Sequence, residues 1–254
     1  MVMRLVQRGA RPPARPAARP RLPLPLPLLA FTALLLAYGN SVSAASGDTS
    51  SEWAFIALGL ALMALALAWA RRACGLSWQQ IGLADRAWPR HLALGVATGG
   101  LVILPVLLYF LAPFGVPGGE IGYDEAERAT TGSLLVWALV RQPLGVSIFE
   151  EVMFRGVMQA LATRAWGVWR GVAFVAVAFA LWHLVVNHRT IQQTNIGQEA
   201  ALAALAQLVS MLGLMLGSLV LSWLRLRSGG LAAPIGFHWA TVVAMQSTLF
   251  ALAR

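Results

Sequence analysis

Five residues of this chain have the types and spacing of a buried hydrolytic site. Glu150 and Glu151 are adjacent in an apolar stretch, and Arg155 follows four residues after Glu151. His183 and His238 each stand in a later, separate apolar run. A charged side chain inside a membrane span costs on the order of 2.5–3.5 kcal/mol by insertion scales, so such residues usually have a function. Two acids, an arginine and two histidines on neighbouring helices therefore predict hydrolytic chemistry.

The spacing assigns different roles to the two acids. On a helix, Glu151 and Arg155 face each other in the favourable acid-first order and neutralise each other. Glu150 points about 100° away from Glu151 and must find its partner on another helix. A carboxyl without an ion-pair partner in an apolar pocket suits a general base that takes a proton from water. The alternative is that both acids only form structural hydrogen bonds between helices.

Glu150 and His183 are predicted to lie at the same depth in the membrane. Glu150 lies 14 residues before Arg164, and His183 lies 13 residues after Arg170. Residues 164–170 read as the turn of a helical hairpin. At 1.5 Å per residue, both side chains stand about 20 Å from that turn. The two residues are therefore expected to be level on antiparallel neighbours.

His238 completes the set, although its depth is less well determined. It stands about seven residues into the last apolar run, after Pro234 and Gly236. The residues also allow a zinc site made of His183, His238 and Glu150, with an open position for water. We expect no metal or other cofactor, because Glu150 cannot easily be both ligand and base.

Composition places these residues in an integral membrane protein. The chain is 58% hydrophobic and 11% charged, which is unlike a soluble domain. No alternating strand pattern is visible, so helices must satisfy the backbone in lipid. The net charge of +9 comes entirely from arginine, since the sequence contains no lysine. The single cysteine, Cys74, excludes an intrachain disulfide and is interpreted as a packing residue.

The chain divides into an N-terminal tail and a membrane domain. Residues 1–21 are rich in arginine and proline and predict a disordered cytoplasmic tail. Residues 22–254 predict an all-α, polytopic transmembrane helix bundle, in which each span needs about 20 apolar residues. The predicted spans are 22–40, 53–70, 91–113, 132–164, 168–187, 200–224 and 231–252. The fourth run is too long for one simple span.

Pro143 and Gly145 are predicted to break this fourth run into a short outer piece and a main helix from about 146 to 164. The bundle would then have seven spans, or eight if the broken helix counts twice. The first run, 22–40, is followed by small residues at 41–45 and resembles a signal peptide. We favour a retained first helix over cleavage, because the basic region before it is unusually long.

The arginines predict the orientation of the bundle. With the N-terminus in the cytoplasm, fifteen of the nineteen arginines fall in inner segments and seven of the ten acidic residues fall outside. This distribution satisfies the positive-inside rule. The basic charge is thus a topology signal, and no nucleic-acid partner is needed to explain it. A composition rich in arginine and alanine suits a bacterial inner, or plasma, membrane protein.

At these residues the sequence resembles the CAAX protease and bacteriocin-processing family (CPBP, also called Abi), the family of the Ras-converting endopeptidase. Glu150, Glu151 and Arg155 match its motif Glu-Glu-x-x-x-Arg. Phe179 and His183 match its second motif, Phe-x-x-x-His. The resemblance extends over about 132–245 and includes the order and spacing of the motifs, so it predicts the catalytic core there.

The third motif of the family is only half present. It consists of a histidine followed four residues later by an asparagine, and here His238 is followed by Val242. In the family this asparagine is thought to hold the oxyanion of the tetrahedral intermediate. Loss of one such donor costs on the order of 10²–10³ in rate. Thr241 and Asn187 are the candidates to replace it.

The resemblance implies an intramembrane endopeptidase that cleaves a membrane-associated or C-terminally tagged client. Glu150 would activate water, Glu151 and Arg155 would shape and charge-balance the pocket, and His183 and His238 would position the water and polarise the carbonyl. The partners are then the lipid bilayer and a peptide or protein client. Two alternatives stay open: a catalytically weak relative that binds peptides or confers bacteriocin immunity, and a proton-coupled transporter.

Overall fold

The computed structural model describes residues 25–45, 52–114, 116 and 119–254. The predicted tail, 1–21, lies outside these residues. Within them the chain is helical and forms no strand; Tyr123 and Thr194 make an isolated β-bridge. The helices in chain order are α1 Leu26–Ala45, α2 Glu52–Arg72, α3 Trp78–Ile81, α4 Trp88–Leu111, α5 Asp124–Arg128, α6 Thr131–Trp166, α7 Val168–Trp182, α8 Leu184–Gln192, α9 Ala200–Ser228 and α10 Ala232–Leu252.

These helices confirm the predicted polytopic bundle. Six of the described helices are long and apolar enough to cross a membrane, namely α1, α2, α4, α6, α9 and α10. A seventh span results if α7 and α8, which meet at a bend of 41°, count as one. In lipid every backbone group must be satisfied within the protein, and helices achieve this without a partner strand. The chain is therefore a multi-pass membrane protein.

The predicted break in the fourth span is wrong, because α6 is one continuous helix of 36 residues. Instead of breaking, it changes to the wider π-helical hydrogen-bond pattern at Trp137–Arg141, Pro143–Ser147 and Val152–Met158. A proline cannot donate the i→i−4 bond and clashes with the carbonyl four residues earlier. The longer π turn accommodates this without ending the helix. No eighth span is present in the described residues.

The arginine-rich segments meet at one end of the bundle, which we call the basic end. There the Arg164 guanidinium donates to the carbonyl of Cys74 at 2.6 Å, and the amide of Leu231 donates to the carbonyl of Gly82 at 3.1 Å. Cys74 is buried. Burial raises the pKa of its thiol, an effect that the nearby Arg164 charge only partly opposes. Cys74 is therefore a packing residue, as interpreted from the sequence.

The opposite end carries the acidic segment around α5. The amide of Asp124 donates to the carbonyl of Gln193 at 3.2 Å, which ties α5 to the chain that follows α8. Tyr123 donates from its hydroxyl to Glu125 at 2.6 Å. Burial and this carboxylate raise the pKa of Tyr123 well above its ordinary value. The arginine-rich segments and the acidic segment around α5 thus lie at opposite ends of the bundle, as the charge distribution in the sequence predicts.

Helices α4 and α10 approach each other closely because glycines face the partner backbone. A Cβ atom on Gly95 would overlap the carbonyl oxygen of Ala233 and come within 2.9 Å of the Phe237 nitrogen. A Cβ on Gly99 would come within 2.7 Å of the Phe237 oxygen. In membranes, where lipid is as apolar as a side chain, such close packing is a main source of helix association. This contact fixes α10, which carries His238.

We expect Gly95→Val to destabilise the protein, because the two helices must separate. Overpacking of this kind costs about 1–3 kcal/mol. The measurement is the thermal unfolding midpoint of the purified protein in lipid nanodiscs. Gly100→Val is the matched control, since nothing lies within 4 Å of a Cβ on Gly100. Equal midpoints for the two variants would contradict the close approach.

Candidate active site

Glu151 and Arg155 of α6 form a buried ion pair. The Arg155 Nη1 donates to Glu151 Oε1 at 3.1 Å, and both side chains are 0% exposed. The spacing predicts this pair. A single ion pair cannot satisfy a whole guanidinium, and Arg155 Nη2 also donates to Ser218 Oγ of α9 at 2.8 Å. The guanidinium carbon further lies 4.1 Å from the centre of the Phe179 ring, a distance suited to a cation–π contact.

Glu151 connects α6 to α10 through His238. The His238 Nδ1 lies 2.8 Å from Glu151 Oε1, and both side chains are buried. Glu151 Oε1 therefore receives two charge-assisted contacts, from Arg155 and from the imidazole. This carboxylate fixes the orientation of the ring, so that the His238 Nε2 is turned away from it. The depth of His238, undecided from the sequence, is thus level with the acids.

Only one of the two carboxylate oxygens of Glu150 accepts a hydrogen bond from a described residue. Trp182 Nε1, on α7, donates to Glu150 Oε1 at 2.9 Å. Among the residues that the structure describes, Glu150 Oε2 has no hydrogen-bond partner. It lies 3.6 Å from His183 Nε2 and 3.9 Å from His238 Nε2. A buried carboxylate oxygen therefore faces two imidazole nitrogens at distances too long for direct hydrogen bonds.

His183 stands at the bend between α7 and α8, not inside a regular helix as the sequence suggested. Its amide donates to the carbonyl of Ala180, three residues earlier, at 3.0 Å, and this tight turn ends α7. The His183 Nδ1 lies 2.8 Å from the carbonyl oxygen of Phe179. The predicted equal depth of Glu150 and His183 is confirmed by their 3.6 Å contact.

The two imidazoles are oriented in the same way. Each Nδ1 lies beside an oxygen that only accepts hydrogen bonds, the Phe179 carbonyl for His183 and the Glu151 carboxylate for His238. In a neutral ring the proton is then on Nδ1, and Nε2 carries the lone pair. Both Nε2 atoms and Glu150 Oε2 consequently face one another as acceptors. Such a group can hold a water molecule and take a proton from it.

The metal alternative has a less favourable geometry. Among the described residues, no group of three or more histidine, cysteine, aspartate and glutamate side chains is arranged to hold a metal ion. The donor types alone would suit zinc, but their positions do not form a ligand set. We therefore derive no step through a metal, and the expectation of metal-free chemistry stays a prediction.

Both candidate replacements for the missing asparagine already make hydrogen bonds away from the cluster. The Thr241 hydroxyl donates within its own helix, to the carbonyls of Phe237 at 3.1 Å and His238 at 2.9 Å. The Asn187 amide donates one of its two N–H groups to Gln207 Oε1 at 3.0 Å. Val242 leaves the position one turn after His238 without a polar group.

Sequence reasoning missed two residues of this cluster, Trp182 and Ser218. Trp182 precedes His183 and is held by neighbouring rings, with Phe149 at 5.9 Å and Phe154 at 5.7 Å between centroids. Its indole N–H, which needs a partner when buried, was the available signal. Ser218 is a polar residue in the middle of the long apolar helix α9, and such residues commonly hydrogen-bond across helices.

Part of the chain matches a known protein family. Residues 132–252 match the family model described as Type II CAAX prenyl endopeptidase Rce1-like. This segment belongs to the Rce1-like CAAX endopeptidase family. The match begins one residue after the start of α6 and includes α7, α9 and α10, which are the helices that hold the cluster. Comparisons with curated proteins and with solved structures give no match.

We expect Arg155→Met to destabilise the protein strongly, because it leaves the buried Glu151 carboxylate without its charge partner. Breaking a buried pair in this way costs about 3–5 kcal/mol. The double variant Arg155→Met with Glu151→Gln removes both charges and should recover most of the loss. Thermal unfolding in nanodiscs measures both, with the exposed Arg170→Met as control. A double variant no more stable than the single one would contradict this reading of the pair.

Proposed function

We propose that this CAAX-type protease is a glutamate-dependent intramembrane endopeptidase in which Glu150 activates water. The observation that carries the proposal is the unpartnered Glu150 Oε2, which faces the Nε2 atoms of His183 and His238 within 4 Å. A protease of this kind needs a base beside a water molecule and groups that hold that water. The cluster supplies both, on helices long and apolar enough to cross a membrane.

In the proposed reaction, a water molecule lies between Glu150 Oε2 and the two Nε2 atoms, and it donates one O–H to Glu150 Oε2 and the other to one of the two Nε2 atoms. Glu150 takes one proton as the water oxygen bonds to the carbonyl carbon of the client. The resulting tetrahedral intermediate collapses when the C–N bond breaks, and the proton on Glu150 passes to the leaving nitrogen. The products are a carboxyl terminus and an amine, and Glu150 is again a carboxylate.

The surrounding residues support this role by position. Trp182 occupies Glu150 Oε1, so the other oxygen, Oε2, is the one that meets the water. Glu151, itself held by Arg155, keeps the His238 proton on Nδ1 and its lone pair toward the site. His183 is the most exposed member of the cluster, with 17% of its side chain accessible. We infer that the client enters on the His183 side.

The client and the location are proposed from the membrane setting. A peptide or protein that is membrane-associated or carries a C-terminal tag fits a site inside a helix bundle. The gathering of Arg71, Arg164 and Arg225 at the basic end supports placing that end, and the N-terminus, on the cytoplasmic side. The arginine-rich, lysine-free composition supports a bacterial plasma membrane.

A second function has a specific observation in its favour. Val242 stands where the family has asparagine, the Thr241 hydroxyl donates within α10, and the Asn187 amide bonds to Gln207. A relative that lacks an oxyanion donor would bind peptides but cleave them slowly or not at all. Such a protein could confer bacteriocin immunity or hold a client peptide.

We expect Glu150→Gln to lower the cleavage rate by about 10²–10⁴-fold, the usual contribution of a general base. His183→Ala should have a comparable effect, because it removes one of the two nitrogens that hold the water. The assay is cleavage of a membrane-bound candidate client from the same genome, followed by mass spectrometry. Glu199→Gln and His188→Ala, which change exposed residues, are the matched controls.

Full activity in Glu150→Gln would overturn the proposed role of this carboxylate. The substitution is nearly isosteric, and its amide oxygen can still accept from Trp182, so we expect the fold to be retained. The unfolding midpoint distinguishes loss of the base from unfolding. Loss of wild-type cleavage on treatment with a chelator, restored by zinc, would overturn the metal-free mechanism.

We expect Val242→Asn to raise the cleavage rate, by at most about 10²–10³-fold, because it restores an amide donor one turn after His238. Val243→Asn is the control, since it places the same amide about 100° around the helix. Cleavage by Val242→Asn alone, with a silent wild type, would favour the catalytically weak relative. An unchanged rate would show that the missing amide does not limit catalysis.

A further inference from the structure

A cavity with charged side chains in its wall lies at the basic end, between α3, α6 and α9. Its volume is about 340 Å³. Three of its lining residues are arginines, and three more are polar and uncharged. These six are Arg155, Arg164, Arg225, Gln80, Gln159 and Thr163. The cavity shares Arg155 with the catalytic cluster but contains none of the residues that face the proposed water.

The positive charge of the three arginines in this cavity exceeds the negative charge of the neighbouring carboxylates. Arg155 has its carboxylate partner in Glu151. Arg164 donates to the main-chain carbonyl of Cys74 at 2.6 Å, and Arg225 donates to that of Gln80 at 2.8 Å. Within the described part of the chain, neither has a carboxylate within 4 Å. Two guanidinium groups with carbonyl partners thus lie beside the same space.

The acid that acts on Arg225 from farther away is Asp85. It is itself engaged with His91, whose Nδ1 lies 2.8 Å from Asp85 Oδ2. It does not line the cavity. The cavity therefore keeps a positive potential, which favours an anionic occupant.

Buried polar atoms without partners mark the same place. Gln159 is 3% exposed, and both its amide oxygen and its amide nitrogen lack a hydrogen-bond partner in the described structure. The Nε atoms of Arg155 and Arg225 also lack one. Buried polar groups are nearly always paired, so a cluster of unpaired ones calls for a missing partner. Three adjacent side chains each offer an unused N–H donor here.

The depth of the cavity corresponds to the lipid headgroups. Gln159 lies seven residues before the end of α6, and Arg225 three residues before the end of α9, which is about 10 Å and 5 Å from the helix ends. Exposed tryptophans occur at this same end, including Trp78, Trp169 and Trp223. Such tryptophans lie at the membrane–water interface.

We propose that this cavity binds a phosphate group, supplied by the headgroup of an anionic phospholipid. Arginine pairs with phosphate through several N–H donors at once, and the side chains of Arg164, Arg225 and Gln159 line one space of suitable size. Free phosphate has the same chemistry and is the other source. The site is independent of the proposed catalytic role of Glu150.

The test uses the full chain in nanodiscs of phosphatidylcholine, with and without added phosphatidylglycerol. The readouts are the thermal unfolding midpoint and the phospholipid retained by the protein in native mass spectrometry. Phosphatidylcholine also contains a phosphate, but the arginines of the cavity repel its choline cation. For the wild type we therefore expect phosphatidylglycerol to raise the midpoint and to be retained selectively. Gln159→Glu should weaken phosphatidylglycerol binding by about tenfold or more, because it places a negative charge in the cavity.

Gln159 is the decisive position because its amide has no internal partner to lose. Gln159→Met should fold at least as stably as the wild type in phosphatidylcholine alone, yet gain less from phosphatidylglycerol. Arg225→Gln should also lose the gain, whereas Arg227→Gln, an exposed arginine two residues later, should keep it. Equal losses in these two variants would indicate general surface attraction and would overturn the site.

A third arm adds inorganic phosphate to the phosphatidylcholine nanodiscs. Stabilisation of the wild type by inorganic phosphate, lost in Gln159→Glu, would keep the phosphate site and assign it to the soluble anion. Stabilisation by phosphatidylglycerol alone would assign it to lipid. No response of the wild type to either phosphate source would overturn the proposal.

Discussion

The ion pair between Glu151 and Arg155 is the constraint on which the rest of this protein depends. Both groups are fully removed from solvent, and the cost of burying two charges is offset by their pairing and by further hydrogen bonds. Ser218 of α9 and His238 of α10 supply such bonds here. One pair on α6 thereby links three helices, and it sets the orientation of an imidazole that faces Glu150. The buried charge organises the site as well as balancing it.

Helix α6 carries this pair in an unusual backbone. Its π-helical stretch Val152–Met158 begins directly after Glu151 and contains Arg155. π-Helical turns are rare and occur frequently at functional sites, because they change the direction of side chains without ending the helix. The bend at His183 has a similar effect on the neighbouring span. Both irregularities occur where buried polar groups must meet, and both lie inside the protein, where other helices satisfy the backbone.

Arg155 contacts both the catalytic cluster and the cavity at the basic end. Its Nη atoms serve Glu151 and Ser218, while its Nε is unpaired beside the cavity at the basic end. An anion in that cavity would lie close to the charge that holds Glu151. The basic end then has a second importance beyond the predicted topology, since Arg164 and Arg225, which the sequence assigns to the inner side, also line this cavity.

The sequence by itself determined the helical membrane class, the approximate spans, the Glu151–Arg155 pair and the equal depth of Glu150 and His183. These follow from hydrophobic length, helical spacing and rise per residue, which are local properties. The tertiary structure decided the continuity of α6 through Pro143, the bend at His183, and the contacts of Trp182 and Ser218. Those depend on which helix faces which and on how each buried polar group finds a partner, and such contacts between residues far apart in the chain leave no periodic signal in it.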